Sequence, residues 1–425
     1  TASFTTSNLT STTYYRLAAS CTGNYSDQVN SNTITITVTA PVIYVNNNTG
    51  NDVTGDGSSS TPYASVAKAL TVLTGCDIID VSDHTYTEEN LTIPDGTTNL
   101  TIRGQGTGST TFDGDNTDDW LTFASGGNTS NITITDMTVK EYGGDVYQNG
   151  GCLRVLGGTG IVFQDMIFHS NNIYGTHSDG GVMYAASASS VEFDRCIMHN
   201  NDSPDMGSVF YWSSSGTLTM KNCLVYENDA GDDAHIYIES GTANITNCTF
   251  ADNKSCPEGT VYAVGGAVTI NNSIFDNNAS DFDVEYSSGS LTMNNCMFDT
   301  RSGGTNNSEV SGDPTFTNSG SDDYRLKFGS TGIDAGDNAH VSGWSYDLAE
   351  NARTTNSTVD LGAYEYLCTT AAAGTVLSSD IICYNTTTTM TVSGYTAQYF
   401  KWQYDSGSGW TNIGSSDVSE YTTPA

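Results

Sequence analysis

Seven successive segments carry one order of apolar and polar positions: ITITDMTVKEY from Ile132, IVFQDMIFHSN from Ile161, VEFDRCIMHNN from Val191, LTMKNCLVYEN from Leu218, ANITNCTFADN from Ala243, VTINNSIFDNN from Val268 and LTMNNCMFDTR from Leu291. Their starts lie 29, 30, 27, 25, 25 and 23 residues apart. Each opens with strand-like alternation, and a unit of this size cannot bury its own apolar face, so it must stack on its neighbours. The pattern predicts the rungs of a parallel coil. The third position, from Ile134 to Met293, and the eighth, from Val139 to Phe298, are apolar throughout and are expected inside. The sixth is Met137, Met166, Cys196, Cys223, Cys248, Ser273 and Cys296, a mostly sulfur ladder in which thiols serve as small hydrophobes at a bend. The eleventh is asparagine in five consecutive rungs, Asn171, Asn201, Asn228, Asn253 and Asn278, which predicts a left-handed corner laced by side-chain amides.

Each rung holds a second alternating stretch. Leu153 and Val155, Met183 and Ala185, Phe210 and Trp212, Ile236 and Ile238, Val261 and Ala263, and Val284 and Tyr286 should face in, leaving Arg154, Tyr184, Tyr211, Tyr237, Tyr262 and Glu285 outside. With two weaker rungs near Ile79 and Leu100, the coil has about nine turns and a length on the order of 40 Å at the ~4.8 Å strand spacing. One helix is expected, over residues 61–74, with Thr61 as N-cap, Pro62 in the first turn, an apolar stripe of Tyr63, Val66, Leu70 and Leu73, and Gly75 at its end. It would cover the open end of the coil.

Charge narrows the partners. Thirteen Lys and Arg against 48 Asp and Glu give a formal charge of -35, which repels nucleic acid and anionic membranes. Forty-four glycines and 24 tyrosines, with many Ser, Thr and Asn, favour strands and turns, so the fold class is all-β. No run of about 18 apolar residues exists to span a bilayer, and no signal-peptide pattern opens the chain, so either such a segment was removed or this is an excised piece. The ten cysteines form no CxxC pair.

The segment IYVNNNTGNDVTGDGSSSTPYASVAKAL resembles the opening of bacterial right-handed parallel β-helix proteins of the pectate-lyase-like superfamily. DPTFTNSGSDDYRLKFGSTGIDAGD followed by DLAENARTTNSTVDLGAYEY is similar to the closing motif of secreted bacterial β-helix surface proteins. These motifs bracket a β-helix over residues 41–366. Residues 1–40 have the pattern of the last strands of a β-sandwich and residues 367–425 that of the first strands, so the two are complementary halves of one Ig-like fold. Joined head to tail, they resemble the Ig-like modules of large bacterial surface proteins, and that resemblance implies a disulfide between Cys383 of one copy and Cys21 of the next. The halves emerge from opposite ends of the coil, so the sandwich is expected between neighbouring copies of the repeat, in one long polypeptide or in separate chains.

Candidate chemistry is sparse at this level. A lyase needs a Lys or Arg base, but Lys140, Arg154, Arg195, Lys221 and Lys254 fall in different columns. Asp276 and Asp299 share an outward column at the far end of the coil, as a hydrolase pair would. His169 and His199 stack in the same column, where Asp165 or Asp202 could join them on a transition metal or leave them as surface histidines. Asp113, Asp115 and Asp118 resemble half of a calcium loop without the glycine and terminal glutamate of an EF-hand; calcium is the one cofactor considered. The ladder Tyr184, Tyr211, Tyr237 and Tyr262 could stack on itself, dock laterally on a neighbour or bind surface glycans. The expected function is a structural and adhesive repeat at the extracellular bacterial cell surface, not an enzyme. The alternative is a carbohydrate-active β-helix, a polysaccharide lyase or glycosidase, or a glycan-binding module.

Overall fold

The computed structural model describes residues 41–367 except 76, 127, 145–148, 175–178, 232, 280–281 and 356, together with short stretches of both flanks. Between those bounds the chain winds into a three-faced coil of parallel strands. The first face holds the opening alternation of each rung: Thr159–His169, Ser190–Asp194, Thr217–Lys221, Thr242–Thr246, Ala267–Asn271 and Ser290–Asn294 pair in sequence order and in parallel. A bend leads to a second face, Ile197–His199, Leu224–Tyr226, Thr249–Ala251 and Ile274–Asp276. The third face is an eight-stranded sheet from Leu91–Ile93 to Val284–Tyr286.

Register explains the repeat. Phe163 pairs with Phe193, which pairs with Met220, Ile245, Ile270 and Met293 in turn. All are buried, and rings stack along the axis, Phe163 on Phe193 at 4.9 Å and Phe250 on Phe275 at 4.7 Å. The thiols of Cys196, Cys223, Cys248 and Cys296 are free and buried as expected. Burial drives them strongly away from ionisation at Cys196 and Cys248. Of the second-stretch pairs only Tyr286 is half-buried; its hydroxyl donates to the Gly289 carbonyl at 2.8 Å.

Three expectations change. The coil has about eight turns rather than nine, because the last rung leaves the third face after a single bridge, Arg301 to Val284, and no ninth strand forms there among the described residues. The asparagine ladder exists, with Nδ2 to Oδ1 bonds of 3.0, 2.9, 3.0 and 2.9 Å from Asn171 through Asn278. The left-handed residues are instead its predecessors Ser170, Asn200, Glu227, Asp252 and Asn277, and a second left-handed column runs through Asp165, Arg195, Asn222, Asn247 and Asn272. The asparagines face inward, and the turn that points them there is made one residue earlier. The helix is only Val66–Leu70, capped by Ser65, whose hydroxyl accepts from the Lys68 N–H at 3.0 Å. Tyr63 is held in extended backbone by bridging Val45, so Thr61 and Pro62 lie outside the helix. Asp52 receives the N–H of Ala64 and Glu88 those of Val66 and Ala67, completing the cap from outside.

In the flanks, Thr13–Tyr15 pairs antiparallel with Ile34–Ile36, and Thr389–Ser393 with Glu420–Thr422. Cys21 and Cys383 lie outside the described residues. Among the described residues no helix is long and apolar enough to cross a membrane.

Residues beyond Thr305–Asn307 leave the coil and run back along it. Val310 bonds to the Cys296 carbonyl, Asp337 to Asn272, Asp360 and Gly362 to Asn247, and Arg353 to Asn222, so this strap retraces the bend rung by rung. Arg353 is fully buried; it meets Glu365 at 2.9 Å and donates to the carbonyls of Asp360, Gly362 and Ala363. A Cβ at Gly362 would come within 2.5 Å of the Thr249 hydroxyl, so only glycine lets the strap seat so closely.

Candidate functional site

On the first face, the fourth position of each rung points outward: Gln164, Asp194 and Lys221 are register neighbours. The left-handed residue that follows turns the chain, and Arg195 lies there beside Asp165 and Asn222. Gln164, Asp194, Arg195, Lys221 and Asn222 form the floor of a hollow of about 360 Å³, and the strap supplies its wall with Gly343, Trp344, Ser345 and Tyr346. A second hollow of about 330 Å³ continues past Arg195 to Asp165, Asp136 and Thr107, walled by Leu348, Ala349 and Glu350. A third, of about 520 Å³, follows toward the first turns and includes Asp80, Gln105 and Ser109. Together they make a groove along the coil axis.

Its charges are organised. Arg195 grips Asp165 through Nε and Nη2, both at 2.7 Å, and reaches Asp194 at 3.3 Å. Lys221 pairs with Glu192 at 2.7 Å and lies 5.5 Å from the Trp344 ring centroid. Burial pushes the Asp194 carboxyl up to about 6, against the pull of Arg195. Glu192 and Asp194 stand two apart on one strand and leave it on the same face, roughly 7 Å apart along the chain. Arg195 and Lys221 lie in different columns, as expected. They occupy adjacent columns, but the bend turns both into one groove. The signal was present as the Asp-Arg and Lys-Asn pairs at the fourth and fifth positions of consecutive rungs.

The other expected sites are placed as follows. Tyr184, Tyr211 and Tyr237 stack face to face at 5.3 Å with interplanar angles of 4° and 9°, and Tyr262 meets Tyr237 edge-on at 5.6 Å. The stacked faces cover one another, so edges and hydroxyls meet the solvent, and the Tyr211 hydroxyl donates to Glu239 at 2.9 Å. Asp113 is paired with Lys140 at 2.7 Å, Asp118 accepts from Asn90 at 3.1 Å, and Asp115 sits in left-handed backbone. Among the described residues no group of three or more His, Cys, Asp or Glu side chains is placed to hold one metal ion. His169 stacks on His199 at 4.9 Å, and His199 on Tyr226 at 4.8 Å. Burial lowers both histidines, His199 to about 4, and Asp165 is engaged by Arg195. Asp276 and Asp299 do approach, within an acidic group that includes Asp313, Asp252 and Asp283, and burial with this repulsion raises Asp276 to about 6.

The family model described as Right handed beta helix region matches residues 122–298. The coil is a right-handed parallel β-helix. No curated protein matches the sequence. Among solved structures, this β-helix is similar to pectate lyase Pel9A, with a TM-score of 0.51 and 15% identity over 77% of this chain and 97% of that one. A rhamnogalacturonan lyase is similar at a TM-score of 0.39 and 14% identity, over 60% of this chain and 74% of its own. At these identities the pectate lyase likeness establishes the fold. The expectation that the chain is not an enzyme stands against this finding: the solved structure that shares the fold over 77% of this chain is a pectate lyase. Charges compared column by column do not reveal the groove, because it assembles across columns.

Proposed function

We propose that this β-helix is an extracellular carbohydrate-active enzyme that binds a polysaccharide along the groove and cleaves it at the Glu192–Asp194 pair. The observation that carries the reading is the Asp194 carboxyl, buried enough to hold its proton near pH 6, at the floor of a groove with an aromatic wall, with Glu192 outward on the same strand. Asp194 gives its proton to the glycosidic oxygen as the bond to the anomeric carbon breaks. Glu192 takes a proton from the water that attacks that carbon. Incubation with a polysaccharide panel tests it: new reducing ends without unsaturation are expected, and Asp194→Asn should lower the rate by ~10²-fold or more. Unsaturated products would replace hydrolysis with elimination, and no new ends with any substrate would sink the enzymatic reading.

A second element of the reading concerns assembly. The antiparallel strand pairs at both ends favour a β-helix carried between Ig-like modules, with copies joined head to tail in a surface chain. The mass of the native material checks this, since a discrete ~45 kDa denatured species would exclude a single giant polypeptide.

A further inference from the structure

The groove has an asymmetric wall. Its floor belongs to the coil, but the aromatic groups among the described residues of the two hollows beside Arg195 come from the strap: Tyr346, 52% exposed, and half-buried Trp344. Large aromatic side chains are ordinarily buried, and here two are presented to one hollow by a short loop that is held from behind. The Asp347 carboxylate accepts the N–H groups of Ala349, Asn351 and Glu365 at 2.9, 2.7 and 2.8 Å. Tyr346 bridges Ala352, and the Arg353 N–H donates to the Ser345 carbonyl at 3.0 Å. The buried Arg353 guanidinium ties this loop to the Asn222 rung, one residue from Lys221. The loop is therefore preorganised against the groove floor, which is what an aromatic platform needs to bind a weakly held ligand without an ordering cost.

The electrostatics select among ligands. Asp136, Asp165, Asp194 and Glu350 line the two nearest hollows, against Arg195 and Lys221, and both cations are already in ion pairs. The whole chain carries a formal charge of -35, so its field opposes an approaching polyanion. Carboxylates and the Gln164 amide are suited to sugar hydroxyls, and an aromatic face to the C–H side of a pyranose ring. We infer that Trp344 and Tyr346 form a sugar-binding subsite that, with this floor, selects an uncharged polysaccharide rather than a uronate polymer such as pectate. The inference rests on the reading of the groove as a carbohydrate site.

Titration calorimetry of the full chain with soluble β-glucan, xylan and mannan, and with polygalacturonate and alginate, tests it alongside end-group release from the same polymers. At least one neutral polymer should bind at least ~10-fold more tightly than either acidic one, and Trp344→Ala should weaken that binding ~10-fold or more, with Trp344→Phe recovering part of it. Tyr346→Ala, which removes a side chain that is 52% exposed and leaves the backbone bridge in place, provides a second variant with an unaltered melting profile. Preferential binding of polygalacturonate or alginate, or a Trp344→Ala chain that binds as before, overturns the inference. Cleavage of an acidic polymer would leave the enzymatic reading standing while removing this one. Trp344-dependent binding of a neutral polymer without product would do the opposite, and binding of none would remove both.

Discussion

At the scale of single residues, burial decides chemistry. Asp194 lies with its carboxyl raised to about 6. A proton donor must carry its proton, so turnover should decline as pH rises through that value. A pH profile of the rate checks this, and a decline that begins only above pH 8 would exclude Asp194 as the donor. His235 shows the same force acting on stability. It is fully buried, its Nδ1 lies 2.7 Å from the Ser208 hydroxyl, and burial pushes its pKa from 6.5 down to about 3. As pH falls below 6.5 the unfolded chain takes up the proton and the fold does not, so stability is retained above 6.5 and drains away down to about 3. His235 shares its column with Val182 and Val209. His235→Val should therefore flatten the loss on the acid side, read as the pH dependence of the urea midpoint; the wild-type slope in the variant would refute it. The sequence marked neither residue, because position in a repeat says which way a side chain points and not how deeply neighbouring rungs cover it.

At the scale of elements, two internal devices hold the coil. One is the asparagine ladder. Asn228 accepts the N–H of Asn201 at 3.0 Å and its Nδ2 amide at 2.9 Å, and donates to the Met198 carbonyl at 3.1 Å and to Asn253 at 3.0 Å. Asn228→Ala strands several buried polar groups at once, and each costs ~1–3 kcal/mol, so a loss of about 3 kcal/mol is expected in denaturant unfolding. A change below about 0.5 kcal/mol would show the ladder to be ornamental. The other device is the strap. Arg353→Met leaves Glu365 buried and unpaired, which costs about 3–5 kcal/mol, and the double change with Glu365→Gln should recover part of it. The ladder was legible in five repeated asparagines, whereas the strap was legible only as a closing motif. Its contacts join Arg353 to Asn222 across 131 residues, and no local pattern encodes a contact of that span.

At the scale of the whole molecule, a chain with a formal charge of -35 folds against its own repulsion. Raising sodium chloride from about 0.1 M to about 1 M shortens the Debye length from ~10 Å to ~3 Å, so the melting temperature should rise by a few degrees. A fall with added salt would mean that ion pairs such as Arg195–Asp165 outweigh the repulsion. The stacked architecture makes each rung depend chiefly on its neighbours, which is why one repeat unit suffices to describe most of the core.

That architecture follows from the order of residues alone. Alternation, a period near 25 and inward-facing columns recur in every rung, and parallel stacking is the one arrangement that buries them all, so strands, register and core could be derived without coordinates. The groove could not. Its floor combines two columns turned together by left-handed residues, and its wall arrives from a segment more than a hundred residues later, so its geometry and the raised carboxyl of Asp194 exist only once the chain has closed on itself.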